Sequence, residues 1–308
     1  MCLPFARGRP AATAPAVTGS SIRPRAFVAL LLGNVALAFG PWTVRLSQVG
    51  PAAAGFWRLA LALPFLWLIA VLLRQAPHWP GRAMALAIAV AALFFAADLA
   101  AWNAGIQLTK LGNATLFGNV ASFAFAAWGL WLARSWPTWL QGTALALAAL
   151  GTALLMAGSA ELSAAHLHGD LLSLLAGLLY TGYLIGVERV RGRLQPMPVL
   201  ILASLFGAAY LLPFAILTGE QIIPADWTGV VLLALGSQVV GQGLLVYALG
   251  EVPPLVVGLA LLTQPAISAL NGWLVYDEQL TPLDFAGALA IAVALVLVRL
   301  RSPAETTT

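Results

Sequence analysis

The chain has 308 residues, enough for about two soluble domains on length alone. Only 8% of them are charged, 61% are apolar and the mean hydropathy is +0.92. Soluble proteins are roughly 25% charged, so too few charges are present here to cover a soluble surface. The single cysteine, Cys2, excludes an internal disulfide. The excess of arginine over acids, a formal charge of +4, is placed like a bilayer topology signal rather than a nucleic-acid patch.

Residues 1–24 are polar, rich in Pro and Arg, and lack a small-residue cleavage site after an apolar core. They read as a disordered cytoplasmic tail rather than a signal peptide. A helix crossing the hydrocarbon needs about 20 apolar residues, because only a helix satisfies its own backbone there. Cutting the chain at charges and Pro/Gly clusters gives ten such stretches: 26–46, 53–74, 83–107, 111–133, 137–159, 169–189, 197–218, 227–250, 254–276 and 282–300. The strict polar/apolar alternation of barrel strands is absent. The fold class is therefore an all-α membrane protein.

Arg23 and Arg25 abut the first span and set the N-terminus in the cytoplasm. With that start, twelve arginines fall on cytoplasmic segments, while Arg45, Lys110 and the intramembrane Arg58 do not. Both termini are expected inside.

The halves overlay on one another. An offset of 144 matches Gly33 with Gly177 and Arg45 with Arg189. An offset of 149 matches Pro64 with Pro213, and 145 matches Asn119 with Gln264 and Pro137 with Pro282. Five spans per copy force the second to insert upside down, a transporter design with its site where the copies meet. The expected organisation is a first five-helix repeat at 25–160, a second at 168–301 and a tail at 302–308.

The run "GFWRLALALP" at Gly55–Pro64, "GNATLFGN" at Gly112–Asn119 and "LLTQP…GWLVYDEQLTP" at Leu261–Pro282 resemble the EamA type of the drug/metabolite transporter superfamily. The resemblance spans residues 26 to 300. It implies ten spans as five plus five, a central cavity, and export of amino acids, other small metabolites or drugs. One departure stands out: Val120-Ala121-Ser122 occupies the place where many relatives carry a proline, as Pro265 does in the second copy.

An ionisable side chain at the bilayer centre costs at least about 2.5–3.5 kcal/mol. Two are intramembrane, Arg58 and Asp98. Counting about 1.5 Å per residue puts them at depths of about 8 and 13 Å, so an Arg58–Asp98 ion pair is expected. Either the pair is structural, or Asp98 also lines the cavity and binds a cationic amine or a proton. Asn34, Asn103, Asn113, Asn271, Gln238, Gln242, Asn119 and Gln264 also lie in apolar spans, the last two at matched positions. Any one such amide can be interhelical glue, but Asn119 and Gln264 together suit a carboxylate or amine. Trp42, Trp102, Tyr180 and Tyr183 are candidates for the apolar walls. Pro41, Pro64, Pro213 and Pro265 free helix carbonyls and are candidate kinks or gates. The H-x-H-x-D run His166–Asp170 reads as a solvated loop rather than a metal site.

P-loop, GxSxG, HExxH and nucleotide fingerprints are absent. No catalytic constellation, metal or cofactor is expected. The expected function is an alternating-access carrier in the inner membrane, a functional monomer exporting small amphipathic metabolites, amino acids first. A cationic drug or multidrug exporter is the alternative within carriers, and a membrane-embedded enzyme on a lipid-like substrate the alternative outside them. Expected partners are a small-molecule substrate and membrane lipid, not nucleic acid.

Overall fold

The computed structural model describes residues 23–75, 78–134, 136–157, 163–276 and 281–300. The expected tails lie outside the described residues, apart from Arg23 and Pro24. Among the described residues every regular element is a helix. The first half runs α1 (Pro24–Ala38), α2 (Gly40–Leu46), α3 (Pro51–Leu72), α4 (Arg82–Leu108), α5 (Leu111–Gly118), α6 (Val120–Ala133) and α7 (Trp139–Ala157). The second runs α8 (Leu167–Arg191), α9 (Pro196–Leu217), α10 (Thr228–Leu232), a π-helical stretch Leu233–Gln242, α11 (Gly243–Leu249), α12 (Pro254–Leu261), α13 (Thr263–Tyr276) and α14 (Pro282–Leu300).

Eight helical rods are long and apolar enough to cross a membrane, counting α1 with α2, α5 with α6, and α10 through α11 as single rods. Where the ninth and tenth spans are expected, Pro254–Ile267 and Pro282–Val298 are shorter apolar helices. The polarity is that of a protein in lipid. Leu72 and Leu217 are exposed, whereas Asn34, Asn113, Ser173, Ser204 and Gln238 are fully buried.

Local sequence explains the helix ends. Proline stands in the first turn of α1, α2, α3, α9 and α12, where its missing N–H has no helical partner to lose. Thr138 with Gln141, and Thr281 with Asp284, form reciprocal capping contacts before α7 and α14. α3 gives way to Arg74 at φ 55° and α9 to Gly219 at φ 68°, both in the left-handed region that ends a helix.

Element lengths recur between the halves. α3 and α9 have 22 residues each, α5 and α12 have 8, α6 and α13 have 14, and α7 and α14 have 19. These starts lie 145 residues apart for α3 and α9, and 143 apart for the later pairs. In that register three of the expected matches fall out of step, Pro137 and Pro282 by two residues. Pro64 now stands opposite Ala209, so Pro64 and Pro213 are four residues out of step. Asn119 stands opposite Leu262 rather than Gln264.

The three broken spans share one geometry. Phe39, Asn119 and Leu262 keep right-handed helical φ but have ψ of −8°, −10° and −7°, a single 3₁₀-like step. Pro41 and Pro265 account for two of the breaks, because each removes the N–H that would bond the carbonyl four residues earlier. The break at Asn119 has no proline. There the chain passes so close to Trp102 that a Cβ on Gly118 would lie 2.5 Å from its ring. Pro64 and Pro213 interrupt neither α3 nor α9.

The most extensive packing is α4 on α8, α7 on α14, α3 on α9 and α6 on α12. The α3–α9 pair is fastened at both ends. At one end the carboxylate of Glu220 accepts the Ala53 N–H at 2.9 Å, Gly50 N–H donates to the Gln221 carbonyl at 3.0 Å, and Trp57 Nε1 donates to the Ile222 carbonyl at 2.6 Å. At the other end the Met197 N–H, in the first turn of α9, donates to Gln75 Oε1 at 3.4 Å. A second recurring contact uses arginine on carbonyls at a helix end. Arg45 donates to Ile106 at 3.2 Å and Arg191 to Val246 at 2.8 Å. Asp170 is not in a solvated loop: it is buried in the first turn of α8, where Thr109 Oγ1 donates to it at 2.6 Å and Asn113 Nδ2 at 3.0 Å.

Candidate functional site

A cavity of about 120 Å³ opens where α1, α2, α3, α4, α5, α6, α8, α12, α13 and the π-helical stretch converge. That is room for several waters. Three helical faces make most of its wall. Phe95, Asp98, Leu99 and Trp102 come from α4 at spacings i, i+3, i+4 and i+7; Thr115, Gly118, Asn119 and Ser122 come from the α5–α6 break at the same spacings; Leu37, Pro41 and Val44 come from the α1–α2 break. Arg58, Asn103, Tyr180, Gln242, Leu261 and Gln264 also line it.

Of the expected site residues, Asn119, Gln264, Asp98, Trp102, Tyr180, Gln242, Arg58 and Pro41 therefore face one space. Asn34, Trp42, Tyr183 and Gln238 do not line it. Asn34 stands behind the wall: its Nδ2 donates to the Ala260 carbonyl at 2.8 Å, and its Oδ1 accepts from Gln264 Nε2 at 3.4 Å. Tyr183 is fully buried and stacks on Phe95 with ring centroids 4.3 Å apart. The residues missed are Phe95, Thr115 and Ser122, while Asn103, one of the amides of the apolar spans, also lines the cavity. Stepping three, four and seven residues along the helix from Asp98 and Asn119 would have found most of them.

The direct Arg58–Asp98 ion pair is not made. Among the described residues the one salt bridge is Arg23–Glu251, at 3.1 Å. Arg58 instead donates from Nε to Gln238 Oε1 at 3.1 Å and lies 5.5 Å from the centroid of the Phe95 ring. Gln238 Nε2 donates onward to Ser204 Oγ at 3.0 Å. Asp98 carries no hydrogen bond or salt bridge among the described residues, and it borders the cavity with Arg58 near enough to act on it as a charge but not in contact. Two further polar atoms are buried without a partner on this wall, the donor Asn119 Nδ2 and the acceptor Gln242 Oε1. Gln242 spends its other end on the Tyr180 hydroxyl, donating from Nε2 at 3.1 Å. Buried polar atoms left unpaired are rare enough to mark a place where something else binds. The cavity thus offers two groups to an anion, Arg58 and Asn119 Nδ2, and two to a cation, Asp98 and Gln242 Oε1.

An all-helical bundle with apolar helices of membrane-crossing length and a polar cavity at its centre is an integral membrane protein. Residues 167–300 match the model of the EamA-like transporter family, so the second half of the chain is similar to membrane transporters of that family. A solved crystal structure of 16% sequence identity shares the fold, with a TM-score of 0.72 over 90% of this chain and 95% of its own. No curated protein matches the sequence at a significant level.

Proposed function

We propose that the protein is an alternating-access carrier that exports small zwitterionic metabolites, amino acids foremost, through the central cavity. The observation that carries this reading is the separation of charge on one wall: Arg58 and Asp98 both line the cavity and are not paired to each other. An ammonium and a carboxylate on one small molecule would satisfy both, with Asn119 and Gln242 supplying the remaining donor and acceptor. The aromatic faces of Phe95, Trp102 and Tyr180 suit an apolar side chain.

Alternation is supported by the recurring helix lengths and end contacts, which fit two inverted copies able to exchange packings. The arginine distribution supports cytoplasmic termini in a cell's inner membrane. The cavity lies within one chain, which supports a functional monomer. Export of cationic drugs is the second reading, favoured by an Asp98 carboxylate that makes no salt bridge among the described residues and borders the cavity with aromatic rings. Flux of labelled amino acids and of a cationic dye in proteoliposomes, with and without a pH gradient, separates them. Movement of amino acids supports the first reading and movement of the dye alone the second. If neither moves, the carrier reading falls.

A further inference from the structure

The contact that keeps the two charges apart lies outside the cavity. Gln238 is fully buried in the π-helical stretch, behind the wall that Arg58 helps to form. Its amide is held from both sides: Oε1 accepts from Arg58 Nε at 3.1 Å, and Nε2 donates to Ser204 Oγ, on α9, at 3.0 Å. The side chain is therefore fixed by a third helix and presents a neutral acceptor to the guanidinium. A cation in the bilayer interior seeks an anionic partner, and the Asp98 carboxylate borders the same cavity. We propose that Gln238 is a positioning residue that sets the charge selectivity of the site, by anchoring Arg58 on a neutral amide and so leaving both Arg58 and Asp98 for the ligand.

Two substitutions act in opposite ways. Gln238→Glu is nearly isosteric and places a carboxylate on Arg58 in the same position. Arg58 is then neutralised where it stands, Asp98 is left uncompensated, and the cavity turns to ligands that are cations only. Gln238→Leu removes the anchor, so that Arg58 folds onto Asp98 and neither charge is left for a ligand.

The inference rests on the zwitterion reading for its ligand, but one arm of the test needs no ligand. In the first arm, binding of L-phenylalanine and of phenylalaninamide, which keeps the ammonium and lacks the carboxylate, is measured by calorimetry on the purified full-length protein. The preference of the wild type for phenylalanine is expected to shift toward the amide by roughly ten- to a hundredfold in Gln238→Glu, the range of one hydrogen bond to a charged group. An equal loss for both ligands would mean that Gln238 is only structural. In the second arm, thermal unfolding is measured for Asp98→Asn in the wild-type and Gln238→Leu backgrounds, with Gln238→Met replacing the leucine variant if that is too unstable to purify. Asp98→Asn is expected to lower Tm by about 2–4 °C or more only where the anchor is missing. The same effect in both backgrounds overturns the proposal. Coupling in the second arm with no binding of either ligand by the wild type would refute the zwitterion reading and leave the anchoring role intact.

Discussion

Glu220→Ala tests the fastening of α3. The carboxylate accepts the N–H of Ala53, the third residue of the helix, from 2.9 Å away. That N–H is one of the four a helix leaves without an internal partner, and a negative charge beside it lies at the positive end of the helix dipole. Loss of such a cap costs about 1 kcal/mol, and loss of the charge at the dipole adds about 0.3–1 kcal/mol. Glu220→Ala is therefore expected to cost about 1.3–2 kcal/mol, which lowers Tm by roughly 3–8 °C. Glu220→Gln keeps an acceptor and loses the charge, so only the dipole part of about 0.3–1 kcal/mol goes with it. At the opposite end of the same pair, Gln75→Ala removes a neutral acceptor at 3.4 Å, and about 0.5 kcal/mol is expected. Thermal unfolding in detergent, followed by tryptophan fluorescence, gives the order. If Gln75→Ala costs as much as Glu220→Ala, or if Glu220→Gln costs as much as the alanine variant, the capping argument is refuted.

Other substitutions separate neighbouring groups. The Tyr183 hydroxyl is buried without a partner, so Tyr183→Phe is expected to be neutral or to stabilise by up to about 1 kcal/mol, whereas Tyr180→Phe strands Gln242 Nε2 and costs about 1–3 kcal/mol; melting curves of the two variants show whether the sign differs. Gly118→Ala drives a methyl into the Trp102 ring and is expected to cost about 1–3 kcal/mol, with part of the loss recovered in Gly118→Ala/Trp102→Leu. No recovery in the double variant would mean that the clash lies elsewhere. Arg191 donates to the carbonyls of Val246, Leu194 and Tyr247. Arg191→Met is expected to raise amide hydrogen exchange at the end of α11 and in the α8–α9 turn together, and a rise at one place alone would contradict a shared tie.

The helix positions were legible because a lipid solvent demands long apolar runs, and composition carries that demand openly. Rotation about each helix axis was not. Depth alone brought Arg58 and Asp98 level and suggested a direct pair, but the guanidinium is turned toward Gln238, a residue 180 positions away. The π-helical stretch had no marker in sequence, since its residues, LALGSQVVGQ, read like any apolar rod with two amides. Proline misled in both directions. Pro64 and Pro213 sit in unbroken helices, while the break at Asn119 has no proline and lies beside a close approach to Trp102 that only the packed bundle reveals. Asp170 beside two histidines looked solvated, because nothing local indicates that Thr109 and Asn113 fold back over it.

The ties at both ends of α3 and α9 constrain how this bundle can deform. Sliding one of these helices along the other would strip the first-turn contacts of both at once, so the pair acts as a keel. A rearrangement that opened the cavity would therefore be expected to keep this pair together, and the stepped spans at Phe39, Asn119 and Leu262 are the places where the other helices already depart from a straight rod.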